Sequence, residues 1–212
     1  MPDVFGLYLV LTDPLLGYER CAEAAVETGV RYVQLRMKKR PPAEVLEMAR
    51  RLRRITAGSG TRFIVNDDVE IAREADADGV HLGQDDLSIA EARKRWPEPG
   101  KIFGLSTHNE DQELRARAVA PDYIGVGPVF VTPAKEKPDP PLGTERAGRI
   151  AGGSPLTAVV IGGIDAANLA EVLRHGARNY SVVRAVTQQT DPKEAIRRLQ
   201  GIWQECLPRD ES

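Results

Sequence analysis

Residues 32–38 read Tyr-Val-Gln-Leu-Arg-Met-Lys. Side chains alternate faces along a strand, so Gln34, Arg36 and Lys38 share one face while Val33, Leu35 and Met37 share the other. The apolar face suits packing against helices, which turns an amide and two cations toward the inside of a sheet. Burying such groups without partners is costly, and an anionic ligand removes the objection. The competing reading is an edge strand with a solvated polar face, but a closed barrel has no edge.

Two acidic clusters follow. Asn66, Asp67 and Asp68 end one β-branched run, and Asp85 and Asp86 come after the next. Carboxylates from neighbouring loops suit a hard divalent cation such as Mg²⁺, which keeps several waters and completes its shell with phosphate oxygens. The same residues are good helix caps and turn formers. With two acids in each place, one can cap while the other ligates, and the residues alone leave both readings open. Gly162 and Gly163 would let the backbone approach a phosphate closely, a plain tight turn being the alternative. In the Pro-rich segment 130–142, Thr132, Lys135 and Lys137 are phosphate-compatible groups on what reads as a lid rather than a solvated loop. Ser106 and His108 end a further run and could reach the same mouth; His108 reads as structural. His81 alternates with Val80 and Leu82, so it faces either the lumen or the packed core. His175, before Gly176, reads as a helix C-terminal residue, and Cys21 and Cys206 as packing residues.

These groups need elements to place them. Short β-branched runs alternate with amphipathic segments rich in Ala, Glu, Arg and Leu. Strands are predicted over 5–13, 32–38, 62–67, 79–83, 101–106, 123–129, 156–161 and 179–186. Helices are predicted over 18–28, 42–55, 69–75, 88–96, 110–119, 144–150, 166–175 and 192–206. Pro41 and Pro42 suit a helix start, and Gly58-Ser59-Gly60 suits its end. Ser88 with Glu91 makes a capping box. Eight strand-then-helix units argue for a parallel sheet with right-handed crossovers. Their number suggests a single (β/α)8 TIM barrel over residues 1–212, compact against the typical ~250 residues, with an open doubly wound sheet as the alternative. Barrel enzymes carry their chemistry on the loops after the strands. The loops after strands seven and eight recur as a phosphate site. The polar residues thus fall into two zones: cations and acids on strands two to four, and a phosphate nest on strands seven and eight.

Composition narrows the class. In 212 residues, 42% apolar and 28% charged content fits neither disorder nor a membrane protein. Lys plus Arg is 29 and Asp plus Glu 31, so with net charge −2 no general field attracts nucleic acid, and anion binding must come from local groups. Two cysteines cannot form a disulfide framework, which points to a reduced, cytoplasmic setting. The N-terminal run lacks a basic region and cleavage signal, and nothing approaches the ~20 apolar residues of a membrane span. A homo-oligomer is compatible with the sequence but not indicated by it.

Beyond this point the residues resemble the thiamine phosphate synthase family, nearly end to end. The resemblance rests on YLVLTD at 8–13, QLRMK at 34–38, FIVNDDVEIA at 63–72, DGVHLGQDD at 78–86, GLSTH at 104–108, YIGVGPVF at 123–130, VIGGI at 160–164 and SVVRAV at 181–186. It implies Mg²⁺-dependent joining of hydroxymethylpyrimidine diphosphate to thiazole phosphate, giving thiamine monophosphate and pyrophosphate. It further implies that Gln34, Arg36, Lys38, Asn66, Ser106 and Lys135 hold the pyrimidine diphosphate, with Arg36, Lys38, Ser106 and Lys135 as catalytic groups. Asp67 and Asp86 would bind Mg²⁺, leaving Asp68 and Asp85 to cap. Thr132, Ala134, Gly163, Val183 and Arg184 would line the thiazole phosphate site, partly through backbone groups. Three positions depart from the family form: Met37 replaces a common acid, Ala134 a common hydroxyl residue, and Arg184 a common serine. Met37 should face the helices with little effect, whereas Arg184 could restore by charge the contact that Ala134 lacks.

The family's reaction, so implied, is dissociative. Pyrophosphate leaves, the aminopyrimidine stabilises a methylene cation, and the thiazole nitrogen captures it. Two other functions compete: a thiazole tautomerase-like isomerase, which would need no diphosphate zone, and a non-catalytic sensor of thiamine phosphates.

Overall fold

The computed structural model describes residues 2–132 and 139–207. In β1 (Leu7–Leu11) all five residues are buried, yet they serve two different cores. Leu7, Leu9 and Leu11 join the large cluster beneath the helices, whereas Tyr8 and Val10 meet Ile64, Tyr123 and Val159 inside the barrel. A strand covered on both faces reads as a continuous apolar run, as parallel sheets require. The same alternation continues through β2 (Tyr32–Leu35), β3 (Arg62–Asn66), β4 (Gly79–Leu82), β5 (Ile102–Thr107), β6 (Tyr123–Val126), β7 (Ala158–Ile161) and β8 (Asn179–Val182). The strands pair in parallel in sequence order, and β8 closes onto β1. This is a closed (β/α)8 barrel, not an open doubly wound sheet.

The outer layer contains α1 (Tyr18–Glu27), α2 (Pro42–Thr56), α3 (Val69–Glu74), α4 (Ile89–Arg95), α5 (Glu110–Val119), α6 (Gly143–Gly153), α7 (Leu169–Arg174), α8 (Arg184–Thr187) and α9 (Pro192–Cys206). Their starts follow local chemistry. Asp68 accepts from Ile71 N to cap α3, and the Ser88–Glu91 capping box opens α4. Asp191 caps α9, with Pro192 at its first position. At the lower end, Asn179 accepts from Phe5 N and Gly6 N and donates to Asp3 O, holding the N-terminal segment across the barrel floor.

Three predicted boundaries are corrected. The run predicted as strand over 179–186 leaves the sheet at Val183 (φ −120°, ψ −85°), and residues 184–187 form the one-turn helix α8. Its β-branched composition hid that turn, which closes when Val186 N and Thr187 N donate to Val183 O. The strand predicted over 123–129 stops at Val126, where Gly127 and Pro128 are joined by a cis peptide bond. The helix predicted from 166 begins at Leu169, because the Asp165 carboxylate first captures Ala167 N and Asn168 N in a turn.

Candidate active site

The C-terminal ends of the strands surround a cavity of about 540 Å³. That is ample for a drug-sized ligand. Gln34, Arg36, Asn66, Thr132, Gly163, Val183 and Arg184, all expected from the sequence, line it together. Gln34 is 4% exposed and points inward, where Nε2 donates to Tyr8 OH at 2.9 Å. The strand predicted over 32–38 ends at Leu35; Arg36 still lines the cavity and Met37 packs into the outer core, but Lys38 lies in the following turn, outside the cavity lining. Among the described residues neither Arg36 nor Arg184 has an ion-pair partner. Only β1 separates β2 and β8, which they follow, so two guanidinium groups without an ion-pair partner among the described residues serve one mouth.

Lys38, Asp67 and Asp86 form a cluster beside Asn66. Asp67 sits in a left-handed backbone conformation (φ 66°), held by its N–H donating to His81 O at 2.8 Å, and its carboxylate pairs with Lys38. Asp86 accepts from Gly83 N at 2.7 Å. Partial desolvation and the nearby Asp67 charge push the Asp86 carboxyl above its usual range, against the Gly83 N–H and Lys38, which lower it. A carboxylate whose ionisation a second carboxylate opposes suits a cation held between them. Among the described residues no group of three or more His, Cys, Asp or Glu side chains could hold a metal. The donor set is therefore a pair, which fits a hydrated hard cation that also takes phosphate oxygens.

Of the two acids expected to cap, the structure uses one. Asp68 does cap α3. Asp85 caps nothing: Ser88 caps α4, and Asp86 itself holds the preceding turn. Ala134 and Lys135, with Lys137, lie outside the described residues. Ser106, half-buried at the end of β5, reaches the cavity lining through His81: its Oγ lies 2.9 Å from His81 Nε2. His108 sets Nδ1 against Gly127 O at 2.6 Å and Nε2 3.5 Å from Asp139, a latch on the chain after β6 that agrees with its structural reading.

Gly163 is required by its place. With φ +69°, a Cβ there would lie 2.8 Å from Phe130 Cβ, so the loop after β7 can pack on the chain after β6 only as glycine. Phe130 N donates to Gly162 O at 2.9 Å across the same contact.

The sequence reading overlooked Tyr8 and Tyr123 and left His81 undecided. All three face the lumen. Tyr8 OH lies 2.7 Å from Tyr123 OH, which lies 3.0 Å from His81 Nδ1. Strand parity carried the signal. Gly104 and Gly125 lie near Tyr123 and His81 respectively and leave room for their rings.

Residues 7–186 match the thiamine monophosphate synthase family. The chain belongs to that family. It is similar to the thiamine-phosphate synthase of Shouchella clausii, 40% identical over 87% of this chain and 88% of that one. It is 42% identical to the Synechocystis thiamine-phosphate synthase over 92% of this chain, which spans only 56% of that longer relative. A thiamine phosphate pyrophosphorylase structure from Pyrococcus furiosus superposes with a TM-score of 0.86 at 32% identity, covering 96% of this chain and 98% of that one. Family membership makes the chain a transferase of thiamine phosphate synthesis. Among the described residues, no helix is long and apolar enough to cross a membrane.

Proposed function

We propose that the cavity binds hydroxymethylpyrimidine diphosphate and thiazole phosphate side by side and joins them into thiamine monophosphate with release of pyrophosphate. The observation that carries this reading is that Arg36 and Arg184, neither with an ion-pair partner among the described residues, line one cavity with a carboxylate pair beside it. Anion sites so placed suit two phosphorylated reactants whose reacting atoms must meet.

In this reading Gln34, Asn66 and Ser106 hold the pyrimidine, and Arg36, Lys38 and Lys135 hold its diphosphate. Asp67 and Asp86 would hold Mg²⁺, which would supply positive charge to the departing diphosphate. Arg36 and Lys38 gain in strength as charge builds on the leaving oxygen, so they favour the transition state over the bound substrate. For Lys38 to take part, its bond to Asp67 must exchange for one to the diphosphate. Thr132, Gly163, Val183 and Arg184, with Ala134, hold the thiazole phosphate. The largely apolar lumen wall of Val10, Val159 and Ile161 excludes water from the cation formed when pyrophosphate leaves. The thiazole nitrogen needs no general base, in keeping with a His108 committed to the backbone.

The deciding assay supplies both substrates and follows pyrophosphate and thiamine monophosphate with Mg²⁺ or with a chelator. Equal release of both products, abolished by the chelator, is expected. Isomerisation of the thiazole alone, or binding without turnover, would replace this reading by the tautomerase or the sensor.

A further inference from the structure

A line of hydrogen bonds runs along the cavity wall from buried Gln34 to half-buried Ser106 at the end of β5. Gln34 Nε2 donates to Tyr8 OH at 2.9 Å. Tyr8 OH and Tyr123 OH are 2.7 Å apart. Tyr123 OH lies 3.0 Å from His81 Nδ1, and His81 Nε2 lies 2.9 Å from Ser106 Oγ. Tyr8 is 2% and Tyr123 3% exposed, whereas Ser106 is only half-buried. The Gln34 end borders the cavity with almost no exposure, and the Ser106 end is the more open one.

Burial pushes both phenols well above their ordinary range, so both keep their protons and each O–H must donate to something. Only one direction satisfies them. Gln34 offers an N–H to the Tyr8 oxygen, so Tyr8 gives its own proton to Tyr123. Tyr123 gives its proton to His81 Nδ1, which must then be bare, and the ring proton sits on Nε2 and points at Ser106 Oγ. In the opposite direction Tyr8 would accept from both Gln34 and Tyr123, and its proton would be left without a protein acceptor among the described residues. A doubly protonated His81 strands the same proton. An unmet buried donor is the costlier outcome.

We infer that Gln34, Tyr8, Tyr123 and His81 form a one-way hydrogen-bond line that fixes His81 as its Nε2–H tautomer and leaves the Ser106 hydroxyl proton free to donate to an occupant at the cavity edge beside His81. Tyr8, Tyr123 and His81 are thus positioning residues that act through Ser106. The group that Ser106 meets is an acceptor atom of the occupant, and on the proposed function that occupant is the aminopyrimidine diphosphate. The inference about the ligand rests on that function; the inference about the line does not.

Nitrogen-15 spectra of histidine-labelled, ligand-free protein test the line directly. The chain has 3 histidines, and the His81 signal is identified by its loss in His81→Asn. A bare Nδ1 and protonated Nε2 are expected. Protonation at Nδ1, alone or with Nε2, would overturn the inference. Ser106→Ala should leave that tautomer in place, since the buried end sets it; a shift to Nδ1–H would show that Ser106 sets it instead. Gln34→Glu turns the buried donor into an acceptor of similar size, and Nδ1 should then gain a proton. A folded Gln34→Glu protein with Nδ1 still bare would refute control from the buried end. If that variant does not fold, the wild-type and Ser106→Ala spectra decide. In steady-state assays Ser106→Ala should raise KM for the pyrimidine diphosphate about tenfold with little change for thiazole phosphate. An unchanged KM for the diphosphate would remove the donor role, and an inactive wild type would fail the proposed function while leaving the tautomer result standing.

Discussion

A Cβ built on Gly104 would lie 2.2 Å from Cζ of Tyr123 and 2.4 Å from its hydroxyl oxygen. Gly104 in β5 and Tyr123 in β6 are register partners, so the missing side chain of one is the space occupied by the ring of the other. That ring stands against Tyr8 and His81, with centroids 5.5 Å away in each case.

Gly104→Ala must therefore displace the Tyr123 phenol. Overpacking of this kind costs roughly 1–3 kcal/mol. The variant should still fold, melt several degrees lower and bind the pyrimidine substrate more weakly. A variant with unchanged melting temperature and unchanged KM would mean that Tyr123 has another place to go.

The carboxylate pair gives a metal prediction. Asp67→Asn and Asp86→Asn each should lower Mg²⁺-dependent turnover by ~100-fold or more, with a raised Mg²⁺ requirement. Stability should change little: either change removes a like-charge neighbour, the Lys38 pair lost with Asp67 is partly exposed and worth little, and asparagine oxygen can still accept from Gly83 N at position 86. Turnover against Mg²⁺ concentration, with melting curves in chelator, checks both halves. Full activity in the double variant would dismiss the pair as a metal site.

The two guanidinium groups should separate the substrates. Arg36→Ala should raise KM for the pyrimidine diphosphate, and Arg184→Ala should raise KM for thiazole phosphate, each ~10-fold or more, the scale of a lost charge-assisted bond. The cross terms should change far less. Initial rates with each substrate varied in turn give the four values. Arg184→Ser, which restores the serine common in the family, should lie between wild type and alanine.

Most of this was legible because strand alternation is a local property. Gln34, Arg36 and Met37 point where their parity says, and Asp68 and Ser88 cap as their side chains predict. The failures are places where a distant contact overrides local pattern. Residues 183–187 have β-branched content but turn into α8, since Thr187 O must meet Leu15 N across the barrel mouth. For Asp86 the residues left turn former and ligand open, and its carboxylate does accept from Gly83 N in the turn. Tyr8 and Tyr123 escaped the sequence reading because their hydroxyl partners lie 26 to 115 positions away in sequence.

An acid titration should expose the clasp between α5 and α6. Glu110 meets Arg146 through three contacts of 2.6–3.2 Å, and hydrogen bonding to that guanidinium holds its carboxyl at about 2. An unfolded glutamate titrates near ~4.3. The folded value is the lower one, so the pair stabilises the fold fully above the unfolded value. That contribution fades as pH falls through the interval and is gone below about 2. Both side chains are exposed, so solvent screening keeps the effect small. Glu110→Gln should melt roughly 1–3 °C below wild type at neutral pH. The gap should close between about pH 5 and pH 2 and shrink with added salt. A gap independent of pH would assign the loss to packing at the start of α5, not to the ion pair.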